Sequence, residues 1–262
     1  MSAANLFLVD AFADAPFAGN PAAVVLLDRD RSDDWLQRLA AELAAPATAF
    51  LHPGGLNRLS WFTPKVELRL CGHGTLAAAH VLWSEGLLAH ETAARFETQA
   101  GELTASYDEG WVMLELPALR SEAVDAPPGL ARAVGIEPKA VSRAGDDYLV
   151  ELGSPDDVLA VRPDRDVLAT VETRGVIVTA AGGDDADFTS RFFAPSLGIP
   201  EDHVTGTAHA ALAPYWAGRL GRNGLIGHQA SPRGGRVRVE VRGELVALAG
   251  KARTVVRGSL LL

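Results

Sequence analysis

Short runs rich in β-branched and aromatic residues, broken by Gly, Pro, Asn and Asp, dominate the chain. In the first half LFLVDAF, AAVVLL, RLSWFT, ARFETQ, GELTASY and WVMLEL have this pattern and predict strands. DYLVEL, VLAV, RGVIVTA, FTSRFF, RVRVEV and LVALAG repeat it in the second half. Helical periodicity is rarer. Over SDDWLQRLAAELA, the residues Trp35, Leu36, Leu39, Ala40 and Leu43 form an apolar stripe. Ser32 stands at the N-cap position, and Asp33 and Asp34 suit the positive end of the helix dipole. Each half also carries one conspicuous apolar, alanine-rich run that predicts a helix, so each half reads as a sheet curling around a helix.

The two alanine-rich runs lie in segments that echo one another. WFTPKVELRLCGHGTLAAAHVLW and RFFAPSLGIPEDHVTGTAHAALAPYW share an aromatic-x-Pro, a stretch of approach, a Gly-Thr step, the helix and an aromatic end. Aligned on the step, Gly74-Thr75 matches Gly206-Thr207. His80 and His209, each inside its predicted helix, also read as counterparts, both structural. The pattern predicts two domains related by duplication, residues 1–117 and 118–262, with the last strand able to return to the first half. PALRSEAVDAPPG, residues 117–129 with three prolines, reads as the connector.

Composition narrows the partner. The chain has 262 residues, 48% of them hydrophobic, enough for full cores. A formal net charge of -9 disfavours nucleic acid and anionic membranes, which leaves a small molecule as the expected ligand. A single cysteine excludes an internal disulfide and fits a reducing cytoplasm. The N-terminal residues lack the pattern of a secretory leader, and no run approaches the roughly 20 apolar residues of a membrane helix.

Candidate chemistry gathers at the two helix starts. Such starts present unpaired N–H groups and a partial positive charge, which attract carboxylates and stabilise thiolates. Two of them facing one another would form an anion-binding cleft between the halves, suited to an amino acid or carboxylic acid. Gly72, Gly74 and Gly206 would let a ligand approach the backbone. Cys71 reads either as a small buried hydrophobe or as a thiol activated by the helix start. His73, flanked by glycines, suits ligand binding or proton transfer. Asp202 either caps the following helix or contacts the substrate and shuttles a proton. No spacing matches a zinc site, and the glycine turns fail the dinucleotide and P-loop templates, so cofactor-free proton transfer remains.

VDAFADAPFAGNPAAVVLL, WFTPKVELRLCGHGTLAAAHVLW, DYLVEL, SRFFAPSLGIPEDHVTGTAHAALAPYWAGRLG and SPRGGRVRVEV, in that order, resemble the phenazine-biosynthesis PhzF-like family across almost the whole chain. The resemblance implies an α+β diaminopimelate epimerase-like fold: two pseudo-symmetric domains, each a curved, mostly antiparallel sheet around a central helix. It also implies a homodimeric isomerase of secondary metabolism that moves a proton without metal or coenzyme. Carried over by position, Asn20 becomes a substrate contact, Gly72 and His73 part of the first helix-start pocket, and Asp202, Gly206 and Thr207 part of the second. The family's general base is a glutamate in a segment reading Ser-Glu-Thr-Ala-Phe-Leu. The matching stretch here is PATAFL, with Pro46 for the serine and Ala47 for the glutamate. A methyl group accepts no proton. Cys71 is then the best replacement, with Asp202 as the second acid–base group and His73 orienting the substrate. CGHGT also resembles the motif around one catalytic cysteine of proline racemases and hydroxyproline epimerases, whose opposite turn holds a second cysteine or, in dehydrating relatives, a threonine. Thr205 lies near that place. Four alternatives stay open: an activated substrate deprotonated by Asp202 or His73, a shifted carboxylate from Glu42, an inactive carboxylate-binding protein, and an epimerase or dehydratase acting on a proline-like substrate.

Overall fold

The computed structural model describes residues 5–55, 57–183 and 185–261. The chain divides into two compact units, Met1–Leu116 with Ala249–Leu262, and Pro117–Leu248. Among the described residues, no helix is long and apolar enough to cross a membrane.

In the first unit a six-stranded sheet runs in the order Ala252–Ser259, Asn5–Ala11, Asn20–Leu26, Ala47–Leu51, Leu59–Phe62, Glu67–Leu68. Every pair is antiparallel except Asn20–Leu26 with Ala47–Leu51. Side chains alternate across a sheet, so the register sorts them into two faces. Ala22, Ala47, Ala49 and Trp61 share one face. That face carries the helix Gly72–Ser84, because Trp61 packs directly on Gly74. Three alanines on the facing strands leave room for the helix to sit close. Val25, Phe50 and Phe62 point the other way and meet Leu36, Leu39 and Ala40 of the helix Asp33–Leu43. Phe50 and Phe62 meet edge-to-face at 5.7 Å. Ser32 caps this helix as its sequence predicts, accepting from Trp35 N at 3.4 Å. A meander of Ala94–Thr98, Gly101–Asp108 and Trp111–Pro117 completes the unit.

In the second unit the strand order is Glu122–Ala123, Ala140–Ala144, Asp147–Glu151, Gly175–Ala181, Phe188–Ala194, Gly224–Gln229, Gly235–Arg242. Two of its pairings are parallel, Asp147–Glu151 with Gly175–Ala181 and Phe188–Ala194 with Gly224–Gln229. The same two-faced logic holds. Val176, Val178 and Phe193 turn toward a layer of short helices, meeting Leu130, Val134, Val158 and Leu168. Thr179, Phe188 and Glu151 serve the long helix Gly206–Leu220: Trp216 Nε1 donates to Thr179 Oγ1 at 3.0 Å, Trp216 stacks on Phe188 at 6.3 Å, and Tyr215 donates to Glu151 at 2.6 Å.

Two readings of the sequence change here. VLAV, expected as a strand, lies at the end of the helix Pro155–Ala160. Ser154 caps that helix by accepting from Asp157 N at 3.1 Å, Pro155 fits its first turn, and Asp156 and Asp157 suit its dipole. The start signals outrank the β-branched composition of a four-residue run. The proline-bearing stretch 117–129 is also more than a connector, since Glu122–Ala123 pairs with Arg143 and Ser142 at the sheet edge.

Candidate active site

Cys71 is the N-cap of the helix Gly72–Ser84 in extended conformation, φ −143° and ψ 101°, and makes no side-chain cap. Its sulfur lies 3.6 Å from Nδ1 and 3.8 Å from Nε2 of His73, and both residues are buried. Thr75 fixes the turn from below, its hydroxyl donating to Cys71 O at 2.7 Å and its amide at 3.0 Å. The thiol thus stands buried at a helix N-terminus and in contact with an imidazole.

Gly74 has a specific steric cause. A Cβ there would stand 2.7 Å from Trp61 Cδ1 and 3.0 Å from Cys71 Sγ. The close approach at this glycine is made by the protein's own indole and thiol.

Asn20 opens the strand Asn20–Leu26, fully buried, and pairs with Ala11. Alternation puts it on the same sheet face as Ala22 and Ala47, the face that carries the Cys71 helix. The tight entry is made by Gly19, at φ +65° and so close to Ala11 O that a Cβ cannot be accommodated. Ala47 is a fully buried methyl on that face. Glu42 is exposed on the helix Asp33–Leu43, whose Leu36, Leu39 and Ala40 take the buried side.

In the second unit Asp202 ends the strand Ile199–Asp202. Arg191, itself buried, anchors the residue before it, donating to both oxygens of Glu201 at 2.7 and 2.9 Å and to Val161 O at 2.9 Å. Thr205 is the N-cap of Gly206–Leu220, extended at φ −114° and ψ 105°. Its hydroxyl donates to Asp202 Oδ2 at 2.6 Å, within the range of charge-assisted bonds. Gln229, fully buried, ties this turn together: its Oε1 accepts from Thr205 N at 2.8 Å, and its Nε2 donates to Asp202 O at 2.8 Å and Thr205 Oγ1 at 3.2 Å. Gly206 is the first, buried residue of the helix. Thr207 accepts from Arg174 Nη2 at 3.2 Å, and Arg174 is ion-paired with the buried Asp147. Burial pushes the Asp147 carboxyl up, and the Arg174 guanidinium opposes that rise.

The two helix starts match one another, in a register different from the Gly-Thr alignment. Cys71 and Thr205 are the N-caps, so Gly72 corresponds to Gly206 and Thr75 to His209. His209 Nδ1 donates to Thr205 O at 2.9 Å, as Thr75 does to Cys71 O. His80 is no counterpart of His209. It bonds Thr254 Oγ1 at 3.1 Å, and its pKa is lowered to about 4 by burial and Arg253. Burial lowers His203 too, against the pull of Asp202. Gln229, Trp61 and Arg174 escaped the sequence reading. Trp61 stood in the repeat only as the neighbour of Phe62, the aromatic of the aromatic-x-Pro step, and Gln229 and Arg174 carried no local signal.

The model of the phenazine biosynthesis-like protein family (PhzC-PhzF) matches residues 9–258. The chain belongs to that family. An uncharacterized isomerase of Halalkalibacterium halodurans is 41% identical to this family member over 100% of both chains. A PhzF-family phenazine biosynthesis protein of Enterococcus faecalis, known from a crystal structure, superposes with a TM-score of 0.94 at 38% identity, covering 100% of each chain. The fold extends further: a hydroxyproline epimerase of Agrobacterium vitis, with trans-4-hydroxy-L-proline bound, matches at a TM-score of 0.64 and 14% identity over 98% of this chain and 92% of its own. This PhzF-family protein therefore has the two-domain α+β fold of the epimerases, and bacterial relatives such as the Halalkalibacterium protein carry the general class name isomerase.

Proposed function

We propose that this PhzF-like protein is a cofactor-independent isomerase. It moves a proton, by double-bond shift or tautomerisation, on a small carboxylate or cyclic amino-acid-like substrate of secondary metabolism, and works as a homodimer. The observation that carries the reading is Cys71 Sγ, 3.6 Å from His73 Nδ1 at the start of a buried helix. Cys71 gives its proton to His73 and becomes the base. The thiolate takes a proton from a substrate carbon, and the C–H electron pair passes into the conjugated system bearing the carboxylate. Asp202, oriented by Thr205 and Gln229, is the second acid–base group: it enters the cycle protonated on the oxygen that Thr205 does not bond, gives that proton to another carbon and is left as the carboxylate that Thr205 stabilises, and exchange with solvent resets both groups. Asn20, Gly72, Gly206 and Thr207 contact the substrate, whereas the space at Gly74 is taken by Trp61 and Cys71.

The buried methyl of Ala47, where the resembled family has a carboxylate, favours one second reading, a carboxylate binder without turnover. The deciding experiment incubates the protein with small unsaturated carboxylates and cyclic amino acids, without added metal or coenzyme, and follows product by NMR. Turnover lost in Cys71→Ala and in Asp202→Asn supports the isomerase. Ligand binding without turnover in the parent protein supports the binder, and turnover retained in both variants removes the assignment of the two groups.

A further inference from the structure

Trp61 carries a buried donor that the fold does not use. The residue is 1% exposed, and its Nε1 has no hydrogen-bond partner among the described residues. An indole N–H donates only, and a buried donor without an acceptor is a cost that phenylalanine at the same place would not incur. The strand Leu59–Phe62 aims this ring at the helix start through the pairing of Trp61 with Ala49. At Gly74 the three atoms nearest to the missing Cβ are Trp61 Cδ1 at 2.7 Å, Cys71 Sγ at 3.0 Å and Trp61 Nε1 at 3.2 Å. The indole nitrogen and the sulfur thus border one gap, and among those atoms the sulfur alone can accept.

We infer that Trp61 is a positioning residue whose indole N–H stabilises the Cys71 thiolate. The inference rests on the reading of Cys71 as the base. In the thiol form the sulfur stays beside His73, and a thiol is a poor acceptor. Once the proton has passed to the ring, the thiolate becomes a strong acceptor. A χ1 rotation of Cys71, which carries a sulfur about 3 Å, is the movement required for the thiolate to accept from the indole across the gap at Gly74. Gly74 keeps the path open because any side chain there would fill it. His73 is the titratable group in contact with the sulfur. Of the strands packed on this helix, Asn5–Ala11 adds the buried Asp10, Asn20–Leu26 and Ala47–Leu51 add none, Gly101–Asp108 adds Tyr107, which packs on Trp83 at the far end, and Arg253 and Arg257 of Ala252–Ser259 face His80 and Glu85.

Cys71 is the only cysteine, so thiolate absorbance in the full-length protein, read as the difference from Cys71→Ser, reports this group alone. In Trp61→Phe the titration midpoint should rise by about one pH unit, and alkylation by iodoacetamide near neutrality should slow about tenfold. A folded Trp61→Phe protein with unchanged midpoint and alkylation rate overturns the inference, whatever its turnover. Should that variant fail to fold, the Trp61 indole N–H resonance in the parent protein decides. It must move as Cys71 ionises and stay still in Cys71→Ser; a resonance that does not follow the titration is the contrary result. Turnover retained in Cys71→Ser removes the base assignment alone, because the absorbance and alkylation readouts do not depend on it.

Discussion

Thr75 and His209 hold the same station in their two helices, each donating a side-chain hydrogen bond to the carbonyl of its own N-cap residue, at 2.7 and 2.9 Å. Neither N-cap makes a side-chain cap, and this back-bond helps to fix the turn bearing Cys71 or Thr205. A threonine does this neutrally at every pH. A histidine does not.

His209 is wholly buried and its pKa is lowered to about 4 from 6.5, chiefly by burial. The unfolded chain takes up the proton first, so this group costs stability as pH falls from 6.5 to 4, and its effect levels off below 4. The full effect is on the order of 3 kcal/mol. His209→Gln keeps a donor without the titration. Its denaturation midpoint, measured across that window, should fall less steeply than the parent's; parallel curves contradict the account.

Gly74→Ala sets two effects against each other. Alanine favours a helix over glycine by up to about 1 kcal/mol, less in a first turn. The new Cβ meets Trp61, which is fully buried and has nowhere to retreat, and such overpacking costs about 1–3 kcal/mol. The clash should win, lowering the urea midpoint and altering the reactivity of Cys71. A stabilised variant would mean that the ring yields freely.

Thr48 is fully buried, and its hydroxyl has no partner among the described residues. By register it shares the face of Phe62, the apolar layer beneath the helix Asp33–Leu43. Thr48→Val keeps the shape and removes the unsatisfied group, so stability should rise by about 1 kcal/mol, read by calorimetry. A loss of that size would show that the hydroxyl has an acceptor.

Thr205→Val removes the 2.6 Å bond to Asp202 while Gln229 still holds the turn through Thr205 N. Turnover should fall roughly tenfold or more, as expected for a lost bond to a charged group, with a smaller change in thermal midpoint. An unfolded variant, or unchanged turnover, would instead make the threonine structural.

Strands with turn punctuation, the Ser32 cap and both apolar helices were legible because each is a local signal. That Cys71, His73 and Asp202 stand beside helix starts was legible for the same reason. The repeat was visible but read out of register, because the shared Gly-Thr spelling is stronger on paper than the N-cap geometry that pairs Gly72 with Gly206. VLAV was misread because its cap lies upstream, at Ser154. Gln229 and Trp61 were beyond reach. Each acts on a turn supplied by a distant element, and only strand register brings Trp61 against Gly74.

Proton movement at a substrate carbon is most directly seen in heavy water. With a turned-over carboxylate and no added metal or coenzyme, the account predicts deuterium entering the substrate at the reacting carbon only with active protein, and not with Cys71→Ala. Product formed without any deuterium, or label entering equally with Cys71→Ala, would contradict it.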